Sequence, residues 1–204
     1  MNKFSDFIYG MDFHTITKKY TPKKLAENLS FDDGRILAYK LLLNKELDDE
    51  LREYAAELLD KLRFIYVKEW SADWKNDVFL GDAFLLTRKY DEEYAAYKRA
   101  YEKASPAPPS LLLCLASCYG TLNPPITADE AEKLTLKALE KELSLRGVVI
   151  IRGIYKSKND QNKFDYWDRI YQELKGKEQH TSEGVWPNML PKDVPPGGYT
   201  SPCS

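Results

Sequence analysis

Residues 89–106 read KYDEEYAAYKRAYEKASP, four tyrosines in a charged run that ends at a proline. Tyr90, Tyr94, Tyr97, Tyr101 and Ala104 recur at alternating steps of four and three, the spacing that sets residues on one face of an α-helix. Asp91, Glu92 and Glu93 come first and Lys98, Arg99 and Lys103 later, an order that suits the helix dipole. Pro106, Pro108 and Pro109 stop the helix. The charged residues, Glu92 and Glu93 included, are expected on the solvent face. Whether this helix stands alone or is half of a repeating unit decides what kind of function to look for.

The surrounding sequence repeats. Upstream, 77–88 (DVFLGDAFLLTR) is a second helical stretch, with the small Gly81 between Leu80 and Phe84 where two helices would approach closely. Downstream, 110–121 (SLLLCLASCYGT) places Leu115, Ala116 and Tyr119 at an offset of 35 from Leu80, Gly81 and Phe84. Its partner helix, 127–141, opens on Thr127 with Glu130 three residues on, a capping box. A third pair, 145–157 and 162–174, puts Tyr155 36 residues after Tyr119 and Tyr171 33 after Ala138. Two-helix units at this period predict an all-α helical solenoid.

On these residues the chain resembles the tetratricopeptide repeat family, whose unit is a helix hairpin of roughly 34 residues. Residues 74–106 carry Leu80, Gly81, Phe84, Tyr90, Tyr97, Ala100 and Pro106; residues 110–141 carry Leu115, Ala116, Tyr119, Ala131 and Ala138. The departures are Glu93 at a small-residue position, Asp77 at a large one, an insertion at 123–126, and Arg152 for the small residue of unit 145–174. The resemblance covers about half of the chain. It implies antiparallel hairpins stacked as a right-handed solenoid, with one helical-repeat domain over 1–175.

The N-terminal third is helical but falls out of period. Thr21-Pro22 marks a helix start, Asp32 and Asp33 are expected to cap a helix over 34–43, and 47–67 carries the apolar stripe Leu51, Tyr54, Ala55, Leu58, Leu59 and Leu62. The β-branched run 148–151 reads as part of a buried helix. Residues 176–204 hold five of the eleven prolines and Gly197-Gly198, so an extended or disordered tail is expected. Within it Val185, Trp186, Met189 and Leu190 are apolar enough to dock on the helical body, near its groove, or on a partner.

Composition narrows the function. Thirty Lys+Arg against 32 Asp+Glu give a net charge of −2, which supplies no general attraction to nucleic acid or anionic membranes. The longest apolar runs, 111–116 and 148–151, are far too short to span a bilayer. The first ten residues show no apolar signal segment, and the three cysteines argue against a disulfide scaffold. A cytoplasmic protein is expected.

No catalytic or cofactor constellation stands out, so no cofactor and no metal are expected. His14 and His180 lie at no ligand spacing from a cysteine or carboxylate. Cys114 and Cys118 share a helix face but lack a second pair to complete a tetrahedral site, and read as buried small hydrophobes; Cys203 is a tail thiol. No glycine-rich loop precedes a Lys-Ser/Thr; Gly147 and Gly153 sit inside an apolar helix, where they serve packing. Trp70 and Trp74 are expected in the core.

A curved stack of hairpins offers its first helices as a concave surface for peptides. Stepping three and four along the face opposite the core, that surface comprises Lys75, Val78, Asp82 and Leu85; then Ser110, Leu113, Ser117 and Gly120; then Arg146, Val149, Gly153 and Lys156. It lacks the Lys/Asn pattern with which some family members clamp a terminal carboxylate. The expected function is a non-catalytic adaptor or scaffold that binds a protein segment. A secretion chaperone or an immunity protein with one cognate partner is the alternative, and an all-α enzyme the third reading.

Overall fold

The structure, a computed structural model, describes residues 12–43, 48–121 and 123–175. Among them every regular element is helical and there is no strand. The expected tail and its apolar residues lie outside the described residues. The chain divides into two compact units, residues 12–89 and 90–175 of the described chain. The division falls between the two helices that the sequence pairs in its first repeat.

The first unit holds α1 (Phe13–Lys19), α2 (Pro22–Asn28), α3 (Phe31–Leu42), α4 (Asp49–Ile65), α5 (Val67–Ser71) and α6 (Lys75–Leu86). Thr21 caps α2 with Pro22 in its first turn, as the sequence implies. α3 starts earlier than expected. Ser30 is its N-cap, accepting from the Asp33 amide, and Asp32 and Asp33 sit in the first turn, where their charge favours the positive end of the helix dipole. α4 is the hub, packed by α1, α2, α3 and α6. Its stripe of Leu51, Ala55, Leu58, Leu59 and Leu62 is at most 2% exposed. Each leucine so removed from water contributes about 1.5–3 kcal/mol. Tyrosines near the two ends of α4 secure the preceding helices. Tyr54 donates to the Tyr20 carbonyl at 2.6 Å and Tyr66 to the Leu29 carbonyl at 2.5 Å, both at helix C-caps whose carbonyls need partners.

Trp70 is buried as expected, while Trp74, the residue before α6, is half-buried. The Trp70 indole N–H donates to Asp77 at 3.2 Å, and the Asn76 amide donates to the Trp70 carbonyl at 3.1 Å. Asp77, out of place in the repeat motif, is therefore a buried acceptor for the indole. Gly81 is buried in the middle of α6.

The second unit holds α7 (Tyr90–Lys103), α8 (Pro109–Ser117) with a 3-10 turn at Cys118–Gly120, α9 (Ala128–Lys141), α10 (Leu145–Ser157) and α11 (Gln161–Lys175). The capping box at Thr127 and Glu130 forms in full. α8 pairs with α9 and α10 with α11; α7 packs on α8, and α8 also touches α10. α10 and α11 run antiparallel, since Tyr155 faces Lys163 while Arg152, earlier in α10, faces Asp168 and Tyr171, later in α11. A core of Ile126, Ala131, Ile151, Ile154 and Tyr155 joins α9 to α10, with Tyr119 and Trp167 packed against it.

The side of α7 that is buried differs from the tyrosine stripe. Glu93, Ala96, Tyr97 and Ala100 are buried, whereas Tyr90, Tyr94 and Tyr101 are half-buried. The small Ala96 and Ala100 permit close packing. This rotation carries Glu93 inward.

Candidate functional site

The second unit contains an open groove of about 510 Å³ between the C-terminal half of α8, its 3-10 turn, and α10. Ala116, Ser117 and Gly120 line one side; Val149, Ile150, Gly153 and Ile154 line the other. Tyr119, Thr121, Pro124 and Ser157 complete it. Ile154 is also a member of the unit's core, so this wall of the groove is continuous with packed interior.

The hydroxyls around the groove are committed to the protein itself. Ser117 donates to the Cys114 carbonyl at 2.7 Å and Thr121 to the Cys118 carbonyl at 3.1 Å. Ser157 donates to the Ile154 carbonyl at 2.7 Å, so Tyr119, 2.8 Å from the Ser157 oxygen, is the donor of that bond. A hydroxyl has a single proton to give. None of these four side chains has a proton left for a ligand, and most of the lining is carbon. Such a surface takes an apolar group, because burying a polar one without a partner costs roughly 1–3 kcal/mol.

The two α10 glycines show how the groove stays open. A Cβ on Gly147 would lie 2.7 Å from Leu139 Cδ2, so Gly147 serves helix packing as expected. Gly153 does not: a Cβ there would meet nothing within 4 Å, and the same holds for Gly120. Glycine inside a helix costs about 1 kcal/mol relative to alanine, and at Gly153 no internal contact requires it. Gly153→Ala is therefore expected to raise stability by about 0.5–1 kcal/mol, read as an increased denaturation midpoint at unchanged m-value. An unchanged or lowered midpoint would show that a contact within the protein requires the glycine.

Of the residues expected on a concave surface, the structure brings Ser117, Gly120, Val149 and Gly153 together on this groove. Val149 is 48% exposed and Lys156 is exposed one turn beyond Gly153. Leu113 is buried and Ser110 half-buried, so neither presents a full surface. Arg146 is half-buried and donates toward Cys114 Sγ at 3.6 Å. The remaining four lie in the first unit, where Val78 and Asp82 are buried and Lys75 and Leu85 half-buried. Sequence spacing did not select Ile150, Ile154, Tyr119 or Pro124. Tyr119 was placed in the core stripe, and Pro124 belongs to the four-residue insertion that departs from the repeat.

A second cluster joins α7 to the end of α8. Glu93, expected on the exposed face, is only 1% exposed. Cys118 Sγ lies 3.7 Å from its Oε1, and Oε2 has no hydrogen-bond partner within the protein. Burial pushes the carboxyl up to about 7, against the lowering influence of the Cys118 contact and of Arg146. Cys114 and Cys118 are both buried. Among the described residues no group of three or more His, Cys, Asp or Glu side chains is arranged to hold a metal ion. His14 sits 3.8 Å from Asp48, near the start of α4, a long-range pair that spacing along the chain does not reveal. Among the described residues no helix is long and apolar enough to cross a membrane.

Comparison with protein-family models, with curated proteins and with solved structures finds no match to this chain.

Proposed function

We propose that this chain is a non-catalytic interaction module, tetratricopeptide-like in its second unit, that binds a segment of another protein by seating an apolar side chain in the groove between α8 and α10. The observation that carries this reading is the convergence of Ser117, Gly120, Val149 and Gly153 on one open cleft whose hydroxyl protons are all spent internally. Two features support the repeat reading: consecutive antiparallel pairs, α8 with α9, whose end reaches the start of α8 where Lys141 donates to the Ala107 carbonyl, and α10 with α11; and the placement of α8 beside α10. A rigid helical wall with an apolar slot suits an anchor residue on an extended or helical peptide, which typically carries most of the binding energy. Lys156, exposed next to the slot, favours an acidic residue beside the anchor. The compartment we assign is the cytoplasm.

Panning a random-peptide display library against the full chain tests the reading. Enriched peptides should share a large apolar residue and lose at least tenfold in affinity on Gly153→Leu, which fills the slot from a position with free space around it. Peptides that bind the variant equally well would reject the groove as the binding surface.

A further inference from the structure

We infer that the anchor this groove seats is a tryptophan of the partner, its indole N–H donated to a hydroxyl oxygen of the lining, with an acidic residue next to it. This rests on the groove being the binding surface and adds the chemistry of the anchor.

The polar atoms of the lining have one hydrogen-bonding sense. Ser117, Tyr119, Thr121 and Ser157 each give their single proton to an oxygen of the protein itself. Their oxygens still accept, because a hydroxyl that has donated keeps its lone pairs. The Ser157 oxygen has given part of that capacity to Tyr119.

The two helices reinforce this sense. α8 and α10 run parallel, since Arg146 at the start of α10 reaches Cys114 while Ser157 at its end meets Tyr119, just beyond α8. Their C-terminal ends therefore border the same groove. A helix C-terminus carries partial negative charge, which favours a donor over an acceptor.

Such a lining selects among side chains. Leucine, methionine and phenylalanine fit the carbon walls but give the hydroxyl oxygens no donor in place of water. Asparagine, glutamine, histidine and tyrosine bring a donor together with an acceptor, for which these hydroxyls hold no proton. Lysine and arginine donate only, but carry a charge into an apolar cleft beside Lys156, which is exposed one turn beyond Gly153. Tryptophan has a large apolar body, no charge, and an indole N–H that donates and does not accept. Gly120 and Gly153, where a Cβ would meet nothing within 4 Å, leave room for a flat bicyclic ring in a groove of about 510 Å³. Lys156 supplies the second element, a positive charge that attracts a carboxylate at a neighbouring position of the partner.

The peptides enriched from the display library test the assignment. They should carry tryptophan as the shared apolar residue, with aspartate or glutamate within two positions of it. One of them is then synthesised twice, with tryptophan and with 3-benzothienylalanine, which keeps the bicyclic shape and puts sulfur in place of the N–H. The second should bind the full chain about fivefold more weakly, the loss of one neutral hydrogen bond. This comparison alters only the peptide, so it does not depend on any variant folding. Against Gly153→Leu both peptides should bind at least tenfold more weakly than the tryptophan peptide binds the unmodified chain. Lys156→Glu should weaken the tryptophan peptide several-fold at low salt. Anchors of leucine or phenylalanine in place of tryptophan, equal binding of the two synthetic peptides, or indifference to Lys156→Glu overturns the assignment. If such peptides still depend on Gly153, the groove reading stands without it. If no peptide enriches, or none responds to Gly153→Leu, the groove reading fails and the assignment with it.

Discussion

Replacing Glu93 by glutamine is expected to make the protein about 3 kcal/mol more stable at pH 8 and to leave it nearly unchanged at pH 4.5. Burial raises the Glu93 carboxyl from its ordinary 4.5 to about 7, a difference that corresponds to about 3 kcal/mol between its two protonation states. Below pH 4.5 the group is protonated whether the chain is folded or not, and no penalty arises. Between 4.5 and 7 the unfolded chain releases the proton while the folded protein holds it, so stability falls as pH rises. Above about 7 the folded protein carries a buried charge, with Cys118 3.7 Å from Oε1 and no partner for Oε2. The fall is then complete. Glutamine keeps the shape and removes the titration. Denaturant melts of both proteins at several pH values between 4.5 and 8 measure the effect as a difference between them, in which every other titrating group cancels. Parallel curves for the two proteins would show that Glu93 is charged at little cost in the folded state.

The second large effect is expected at Gly34 in α3. A Cβ at this position would lie 2.7 and 2.8 Å from the two methyl carbons of Leu62, nearer than such atoms approach. Leu62 is fully buried in the α4 stripe, so its methyl groups have no solvent to move into. Gly34→Leu must therefore separate α3 from α4 or force Leu62 off its rotamer, at a cost near the top of the roughly 1–3 kcal/mol range for overpacking. The gain in helix propensity, at most about 1 kcal/mol, does not offset this. Leu62→Ala alone should cost about 2–5 kcal/mol by opening a cavity, and the inserted leucine fills part of the same space. The double variant should thus be less destabilised than the sum of the two single changes. Strict additivity in denaturant melts would mean that the two side chains do not compete for one volume.

A side chain added at Gly34 meets Leu62 at its first carbon, whereas one added at Gly153 meets nothing there, and nothing within α3 or α10 alone tells the two positions apart. Each lies inside its helix, and what differs is a side chain arriving from another helix: Leu62 of α4 at the first, none at the second. Gly147 and Gly153 make the point within one helix, because Leu139 of α9 reaches only the former.

The amino-acid sequence by itself determined the all-helical class and the helices from α7 onward. Periodicity, the Thr127/Glu130 capping box and the Thr21-Pro22 start are local signals acting over one or two turns. Spacing alone also placed Ser117, Gly120, Val149 and Gly153 on one face of their helices, since a helix fixes the direction of each side chain about its axis. Tertiary structure decided how each helix is rolled against its neighbours. At α7 a shift of the buried side toward Ala96 and Ala100 was enough to take Glu93 from the expected solvent face into the interior. It also decided which members of the predicted face remain open, burying Val78, Asp82 and Leu113 while leaving Val149 and Gly153 exposed. The polarity of the groove was settled in the same way, by Tyr119 meeting Ser157, a pair 38 residues apart. Local sequence specifies a helix and its amphipathic direction; burial, titration and the chemistry of a cleft depend on atoms brought together from distant parts of the chain.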